Sequence, residues 1–130
     1  MEIINLIDVK NSLYFIDNEK QILLSEENFD DIDSSYVVIN NEASLEMGSL
    51  NVNLEELDNI NMVSVNPTTS ALKLIEKDKI IKHIDRKNYL TISYPVIATK
   101  KDLFRHLISN NFSWNLDLFI KNNNFKIINF

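Results

Sequence analysis

Five carboxylates lie within eight positions of the sequence and form its densest group of side chains able to do chemistry. They are Glu26, Glu27, Asp30, Asp31 and Asp33. Carboxylates this close together can ligate a hard cation, attract a positively charged partner, or remain hydrated in a loop. The residues around them decide which of these three interpretations the sequence favours.

The acidic stretch has part of the spacing of a calcium-binding EF-hand loop. With Asp31 as position 1, Asp33 and Ser35 fall at positions 3 and 5, and Glu42 falls at position 12. The glycine that makes the sharp turn at position 6 is replaced by Tyr36, which opens a β-branched run typical of a strand. Because a strand would pull these oxygens apart, we expect no metal and no cofactor here.

The remaining polar residues form no recognisable catalytic motif. The histidines are His83 and His106, and His83 lies two residues from Asp85, a spacing that is not diagnostic of catalysis. The chain has no cysteine, no serine in a Gly-x-Ser-x-Gly elbow, and a single glycine, Gly48. Glycine-rich phosphate-binding loops need several glycines, so the standard nucleotide-binding motifs are excluded. We therefore predict that the chain is not an enzyme.

Charge is distributed unevenly along the chain. Residues 1–66 contain fourteen acids against Lys10 and Lys20, a net charge of −12, whereas residues 67–130 have a net charge of +6. Such asymmetry indicates an exposed interaction surface, or two halves that pack together and partly neutralise each other. The two interpretations are compatible, because a partly neutralised protein can still expose one acidic face.

The basic second half supports an alternative hypothesis, a nucleic-acid-associated module. Lys100, Lys101 and Arg105 begin a predicted helix, and further lysines lie upstream. Clustered basic residues bind phosphates through the release of counterions. The whole chain has a net charge of −6, however, so nucleic acid is the less favoured partner.

The predicted elements indicate an α+β fold in one compact domain, residues 1–130, with a β-rich first half of hairpins and a meander. In the first half we predict a hairpin over 12–25, a strand over 36–40, a second hairpin over 43–53 with Gly48 at positive φ, a helical turn over 54–57 and a strand over 61–66.

We predict two or three helices, mainly in the second half. A helix over 70–84 follows the caps at 68–70, although the same residues also fit a hairpin. A strand over 89–98 is predicted to be interrupted or to end near Pro95, which favours an edge position in the sheet. Thr99 then caps a helix, Ser113 precedes a further helical turn, and Trp114 is predicted to lie in the core.

These properties together predict a small cytoplasmic protein that binds and inhibits another protein. The chain resembles toxin-neutralising immunity and antitoxin proteins in its size and acidity, and the predicted partner is a basic toxin or nuclease whose active site it occludes. Negative charge would speed the encounter, and an apolar ring would supply a desolvated contact. The predicted interface residues are Glu26, Glu27, Phe29, Asp30, Asp31 and Asp33. No apolar run approaches the roughly 18 residues of a membrane span, so we expect no membrane association.

Overall fold

The computed structural model describes residues 4–17, 20–46, 58–67, 72–84 and 90–128. The strands are β1 Asn5–Val9, β2 Ser12–Asp17, β3 Lys20–Leu23, β4 Tyr36–Asn40, β5 Asn61–Pro67, β6 Leu72–Glu76, β7 Lys79–Ile84, β8 Leu90–Thr99 and β9 Phe125–Ile127. The helices are α1 Glu42–Glu46, α2 Lys100–Ser109 and α3 Leu116–Asn122, and a 3-10 turn spans Phe29–Asp31.

Seven of these strands form one mixed sheet in the order β3-β2-β1-β4-β8-β5-β9. β4 runs parallel to β1 and β9 runs parallel to β5, whereas the other neighbouring pairs are antiparallel. The strands β6 and β7 pair with each other as a separate two-stranded ribbon. With its longer helices α2 and α3 in the C-terminal half, the chain has the α+β class predicted from the sequence, and β2 and β3 confirm the hairpin over 12–25.

The two halves of the chain share the centre of the sheet. β4, from the acidic half, pairs with β8 from the basic half, so that Val37 lies opposite Ala98 and Ile39 lies opposite Val96. β5 pairs with the other side of β8. The halves therefore pack together, as one interpretation of the charge asymmetry predicted.

Both faces of the central strands are buried. On one face, Val37 and Ile39 of β4 belong to the main core cluster together with Leu103 and Leu107 of α2. On the other face, Val38 belongs to a smaller cluster. A strand covered on both sides needs apolar residues at every position, which explains the continuous apolar run that begins β4. Trp114 and Phe119 are fully buried in the main cluster, so the core position predicted for Trp114 is confirmed.

The segment predicted as a helix over 70–84 forms a β-ribbon in its described part. β6 and β7 are antiparallel, and Glu76 lies opposite Lys79. The two residues between them, Lys77 and Asp78, have φ values of 49° and 63°. Two consecutive positive φ values are typical of the tight turns that close hairpins and are incompatible with a continuous α-helix. The helix prediction is therefore wrong, and the alternative hairpin is confirmed.

β8 lies in the centre of the sheet, so the edge position that Pro95 predicted for this strand is wrong. Pairing between β8 and β4 ends at Val96. The register between β8 and β5 shifts between Val63 and Ser64, which leaves Tyr94 and Pro95 without partners in β5. Proline has no N–H group to donate, and here neither neighbouring strand requires one.

The first part of the predicted hairpin over 43–53 is helical. α1 begins after Asn41, whose Oδ1 accepts the N–H of Ser44 at 2.8 Å, while Ser44 Oγ accepts the N–H of Asn41 at 3.0 Å. This reciprocal capping favours a helix over a strand. The hairpin prediction is therefore wrong at its start, and its remainder from residue 47, with the helical turn over 54–57, lies outside the described residues.

Within the described ranges, none of the helices is both long enough and apolar enough to cross a membrane. The single domain over residues 1–130 stays a prediction.

Candidate functional site

Residues 24–35 connect β3 with β4, and we call this segment the strap. Asn28 organises its first turn, because Asn28 Oδ1 accepts the Ser25 N–H at 2.7 Å and Asn28 Nδ2 donates to the Leu23 carbonyl at 2.8 Å. Phe29 is 3% exposed and Ile32 is fully buried, both in the main core. The acidic stretch is thus folded onto the protein through the two apolar residues that interrupt it.

Lys100 fastens the strap to the amino end of α2. Its N–H donates to the Ser35 carbonyl at 2.8 Å, and its Nζ donates to the carbonyl of Ile32. The same Nζ lies 5.7 Å from the centroid of the Phe29 ring, within the range of a cation–π interaction. The charge of Lys100 is therefore engaged within the chain.

A pocket of about 510 Å³ lies between the strap and the start of α2. The strap wall consists of Phe29, Asp30, Asp33, Ser34 and Ser35. The helix wall consists of Thr99, Lys100, Lys101 and Phe104, and Asn59 lines a third side. The rings of Phe29 and Phe104 join the two walls at a centroid distance of 4.8 Å. We call this cavity the strap pocket, and it has the volume of a small-molecule site.

The strap pocket carries unpaired charges of both signs. Asp30 and Asp33 on one wall, and Lys101 on the other, are exposed and have no hydrogen-bond or ion-pair partner among the described residues. The carboxylates thus do not neutralise the lysines across the cavity. The ion pair that the described residues do contain joins Asp102 to Arg105 at 3.6 Å, on α2 itself.

Asn61 and Thr99 fix the first turn of α2 and hence the position of Lys101. Asn61 Oδ1 accepts the Thr99 N–H at 2.8 Å, and Asn61 Nδ2 donates to Asp102 Oδ2 at 2.8 Å. Thr99 Oγ1 accepts the N–H of Asp102 at 3.2 Å, which confirms the predicted N-cap. Because Asn61 is 1% exposed, this network is shielded from water and holds the helix start rigidly.

The first turn of α2 also supplies partial positive charge to the strap pocket. The N-terminus of a helix carries roughly half an elementary charge, because its first N–H groups have no partner within the helix. In α2 the N–H groups of Lys100 and Asp102 are already bonded to Ser35 and Thr99. The backbone N–H of Lys101 has no partner among the described residues. This N–H and the ammonium group of the same lysine are therefore both available to an anion.

Three of the six predicted interface residues line the strap pocket: Phe29, Asp30 and Asp33. The other three, Glu26, Glu27 and Asp31, are exposed and do not line it. The apolar contact expected of Phe29 is made inside the chain, with Phe104 and with Phe112 at 6.4 Å between centroids. The basic protein partner predicted for this surface stays a prediction.

The two histidines lie away from the strap pocket. His83 is exposed on β7. His106 is 6% exposed on α2, where its Nε2 accepts the N–H of Asn115 at 3.3 Å. Burial lowers the pKa of His106, which keeps the ring neutral and suited to accept that bond.

Sequence reasoning missed that Lys101 and the strap carboxylates face one cavity. In the sequence, Lys101 belongs to a basic helix and Asp33 to an acidic stretch far from it. The hydrogen bond between Lys100 and Ile32, which brings the two segments together, joins residues 68 positions apart. The sequence signals were the apolar residues Phe29 and Ile32, which anchor the strap in the core. In the described parts of the chain no three His, Asp or Glu side chains are placed to hold a metal ion.

The fold of the chain is similar to that of two solved structures. One is the 4-diphosphocytidyl-2C-methyl-D-erythritol synthase from Anaerococcus prevotii, with a TM-score of 0.53 and 16% identity over 78% of this chain and 53% of that one. The other is the 2-C-methyl-D-erythritol 4-phosphate cytidylyltransferase from Thermus thermophilus, with a TM-score of 0.51 and 10% identity over 80% of this chain and 56% of that one. The chain spans about half the length of these proteins.

No protein-family model matches the chain, and no curated protein sequence matches it. At such low identity, the structural likeness establishes the fold.

The comparison corrects the functional predictions made from the sequence. Both similar structures are enzymes, so the prediction of a non-enzymatic inhibitor of the immunity or antitoxin type is wrong, and so is the nucleic-acid-associated alternative. The physical reason is that the acidic half is no separate surface. Its strand β4 lies in the middle of the sheet, and its acidic stretch is anchored on α2.

Proposed function

We propose that this chain is a nucleotidyltransferase-type domain and that the strap pocket binds a small phosphate monoester. The observation that carries the proposal is the position of Lys101. Its ammonium and its backbone N–H are both free of partners in the described structure, and both belong to the helix wall of the pocket.

The fold supports the reaction class. One of the two similar structures is named as a 4-diphosphocytidyl-2C-methyl-D-erythritol synthase. The other is named as a cytidylyltransferase, and its name includes 2-C-methyl-D-erythritol 4-phosphate, a phosphate monoester. This chain has a fold similar to about half of each of these proteins, and we therefore propose the same type of ligand for it. The substrates of this chain are part of the proposal.

The chemistry of the helix wall supports a phosphate ligand. An ammonium group, a free N–H and the positive end of a helix favour a phosphate with two or more negative charges. Ser35 on the facing wall adds a hydroxyl that can donate a further hydrogen bond. Phe104, which is 38% exposed, offers an apolar surface for the carbon skeleton of the ligand.

The walls of the strap pocket are held before any ligand arrives. Lys100 ties the strap to α2 through two hydrogen bonds, and Asn61 fixes the helix start. A site built in advance costs less ordering entropy on binding than one assembled around the ligand. This rigidity favours selective binding of a small molecule.

Calorimetric titration with glycerol 3-phosphate, a simple phosphate monoester, tests the proposal. The wild-type chain is expected to bind it, and Lys101→Ala is expected to weaken binding by about tenfold, the value of one charge-assisted hydrogen bond. Lys121→Ala removes the same charge from α3, outside the pocket, and is the matched control.

Two results would contradict the proposal. One is the absence of binding to the wild-type chain at millimolar glycerol 3-phosphate. The other is equal weakening by Lys101→Ala and Lys121→Ala, since that would indicate a general effect of net charge. Release of pyrophosphate from nucleoside triphosphates in the presence of magnesium and the phosphate monoester tests the transfer reaction itself.

A further inference from the structure

We infer that the ligand of the strap pocket is a zwitterion, with a phosphate at one end and an ammonium group at the other. This inference rests on the proposed function, because it specifies the class of phosphate monoester that the pocket takes. It follows from the observation that Asp30, Asp33 and Lys101 line the strap pocket without forming an ion pair with one another.

Opposite charges attract each other most strongly at short range. In the strap pocket Asp30 and Asp33 on the strap wall form no ion pair with Lys101 on the helix wall, and all three side chains are exposed. The pocket therefore has one negatively charged wall and one positively charged wall. A ligand that carries both charges can place each charged group next to the wall of opposite charge.

The free charges of the pocket favour a zwitterion over a ligand that carries only negative charge. Lys100 is committed to the Ile32 carbonyl and to the ring of Phe29, which leaves Lys101 as the free ammonium of the two lining lysines. The strap wall carries two carboxylates, those of Asp30 and Asp33. A ligand with only negative charge gains from Lys101 but is repelled by Asp30 and Asp33, whereas an added ammonium group converts that repulsion into attraction.

Phe104 gives the ammonium end a second point of recognition. Its ring is part of the cavity lining and is 38% exposed. Phe29 lies against it at 4.8 Å between centroids, so the ring is held in place. An alkylammonium or quaternary ammonium group over such a ring gains a cation–π interaction in addition to its attraction to the carboxylates.

Titration with a matched set of small probes tests this inference. Phosphoethanolamine and phosphocholine carry both charges, glycerol 3-phosphate carries only the phosphate, and choline carries only the cation. We expect both zwitterions to bind at least about fivefold more tightly than either single-charge probe, because each zwitterion makes a second charge contact with the exposed side chains of the pocket. The double variant Asp30→Asn/Asp33→Asn is expected to remove this preference while retaining glycerol 3-phosphate binding.

Asp31→Asn is the matched control, because Asp31 lies next to Asp30 on the exposed strap but does not line the pocket. It should leave the preference for zwitterions unchanged. If glycerol 3-phosphate binds as tightly as phosphoethanolamine, the inference is wrong and the proposed function stands. If choline binds as tightly as phosphocholine, the site is a simple cation site and the inference is wrong. If no probe that carries phosphate binds, the proposed function fails as well.

Discussion

The phenol of Tyr94 on β8 donates a hydrogen bond to Asp8 Oδ2 on β1 at 2.8 Å and accepts one from Trp114 Nε1 at 2.8 Å. Asp8 Oδ1 also accepts the N–H of Asn11 in the turn after β1 at 3.1 Å. One hydroxyl thus connects the first strand, a central strand and the loop before α3.

Replacement of Tyr94 by Phe is expected to lower the free energy of unfolding by about 1–3 kcal/mol, because the indole N–H of the fully buried Trp114 loses its acceptor. Urea unfolding at pH 7 measures the change. Tyr14→Phe is the control, since Tyr14 is half-buried and its hydroxyl has no partner among the described residues. Equal effects of the two substitutions would show that the network contributes nothing.

The stability of the protein is expected to fall at alkaline pH through the same residue. Burial raises the pKa of Tyr94 above its usual value of about 10, and this rise outweighs the opposing effect of the hydrogen bond from Trp114. The hydrogen bond to Asp8 and the charges of Asp8 and Asp117 raise the pKa further. The unfolded chain releases the phenolic proton first, so the stabilisation is complete below pH 10 and is lost as pH rises above it. Urea midpoints between pH 8 and 11 should decline more steeply for the wild-type chain than for Tyr94→Phe.

Acidic conditions are expected to weaken the packing around His106. Its ring lies between Trp114 and Phe119, at centroid distances of 5.3 and 5.4 Å, and burial lowers its pKa. The unfolded chain takes up the proton at the ordinary pKa of about 6.5, so stability is complete above that pH and is lost as pH falls below it. His106→Gln should reduce the change in urea midpoint between pH 7 and pH 5. An unchanged difference in His106→Gln would show that this ring does not carry the pH dependence.

The two adjacent lysines of α2 are expected to respond differently to the same substitution. Lys100→Met keeps an apolar stem but removes the donor to the Ile32 carbonyl, and a loss of about 1–2 kcal/mol in the free energy of unfolding is expected. Amide hydrogen exchange over the strap should become faster. Lys101→Met removes a charge without a described partner and should change neither quantity. If both variants behave alike, Lys100 does not fasten the strap.

Sequence patterns predicted the elements whose causes are local. The Thr99 cap, the apolar run of β4 and the hairpin of β2 and β3 depend on neighbouring residues, and all three are present in the structure. The ribbon of β6 and β7 was predicted only as an alternative, because its turn residues Lys77 and Asp78 adopt positive φ values that glycine and asparagine favour more strongly than lysine does.

The candidate site depends on contacts between residues that are far apart in the sequence, and local sequence patterns do not predict such contacts. Asp30 and Asp33 were singled out from the sequence because carboxylates cluster there, but the helix wall that faces them follows some 70 residues later, as the bond between Lys100 and Ile32 illustrates. The order of the strands determines which segments become neighbours in the sheet. Neither β1 nor the interior position of β8 was predicted from the sequence. The function inferred from net charge failed for the same reason: charge was counted along the chain, whereas binding depends on its arrangement in space.

The irregularity in β8 has a consequence for how this sheet tolerates changes in length. Tyr94 and Pro95 are two residues without counterparts in β5, and side chains in a strand alternate between faces with a period of two. Ile92, Tyr94 and Val96 therefore all pack towards the same core. A homologue that lacked both extra residues would keep every later side chain of β8 on its present face, whereas the loss of one would turn Val96 outward. Insertions and deletions at this point are expected to come in pairs among homologues.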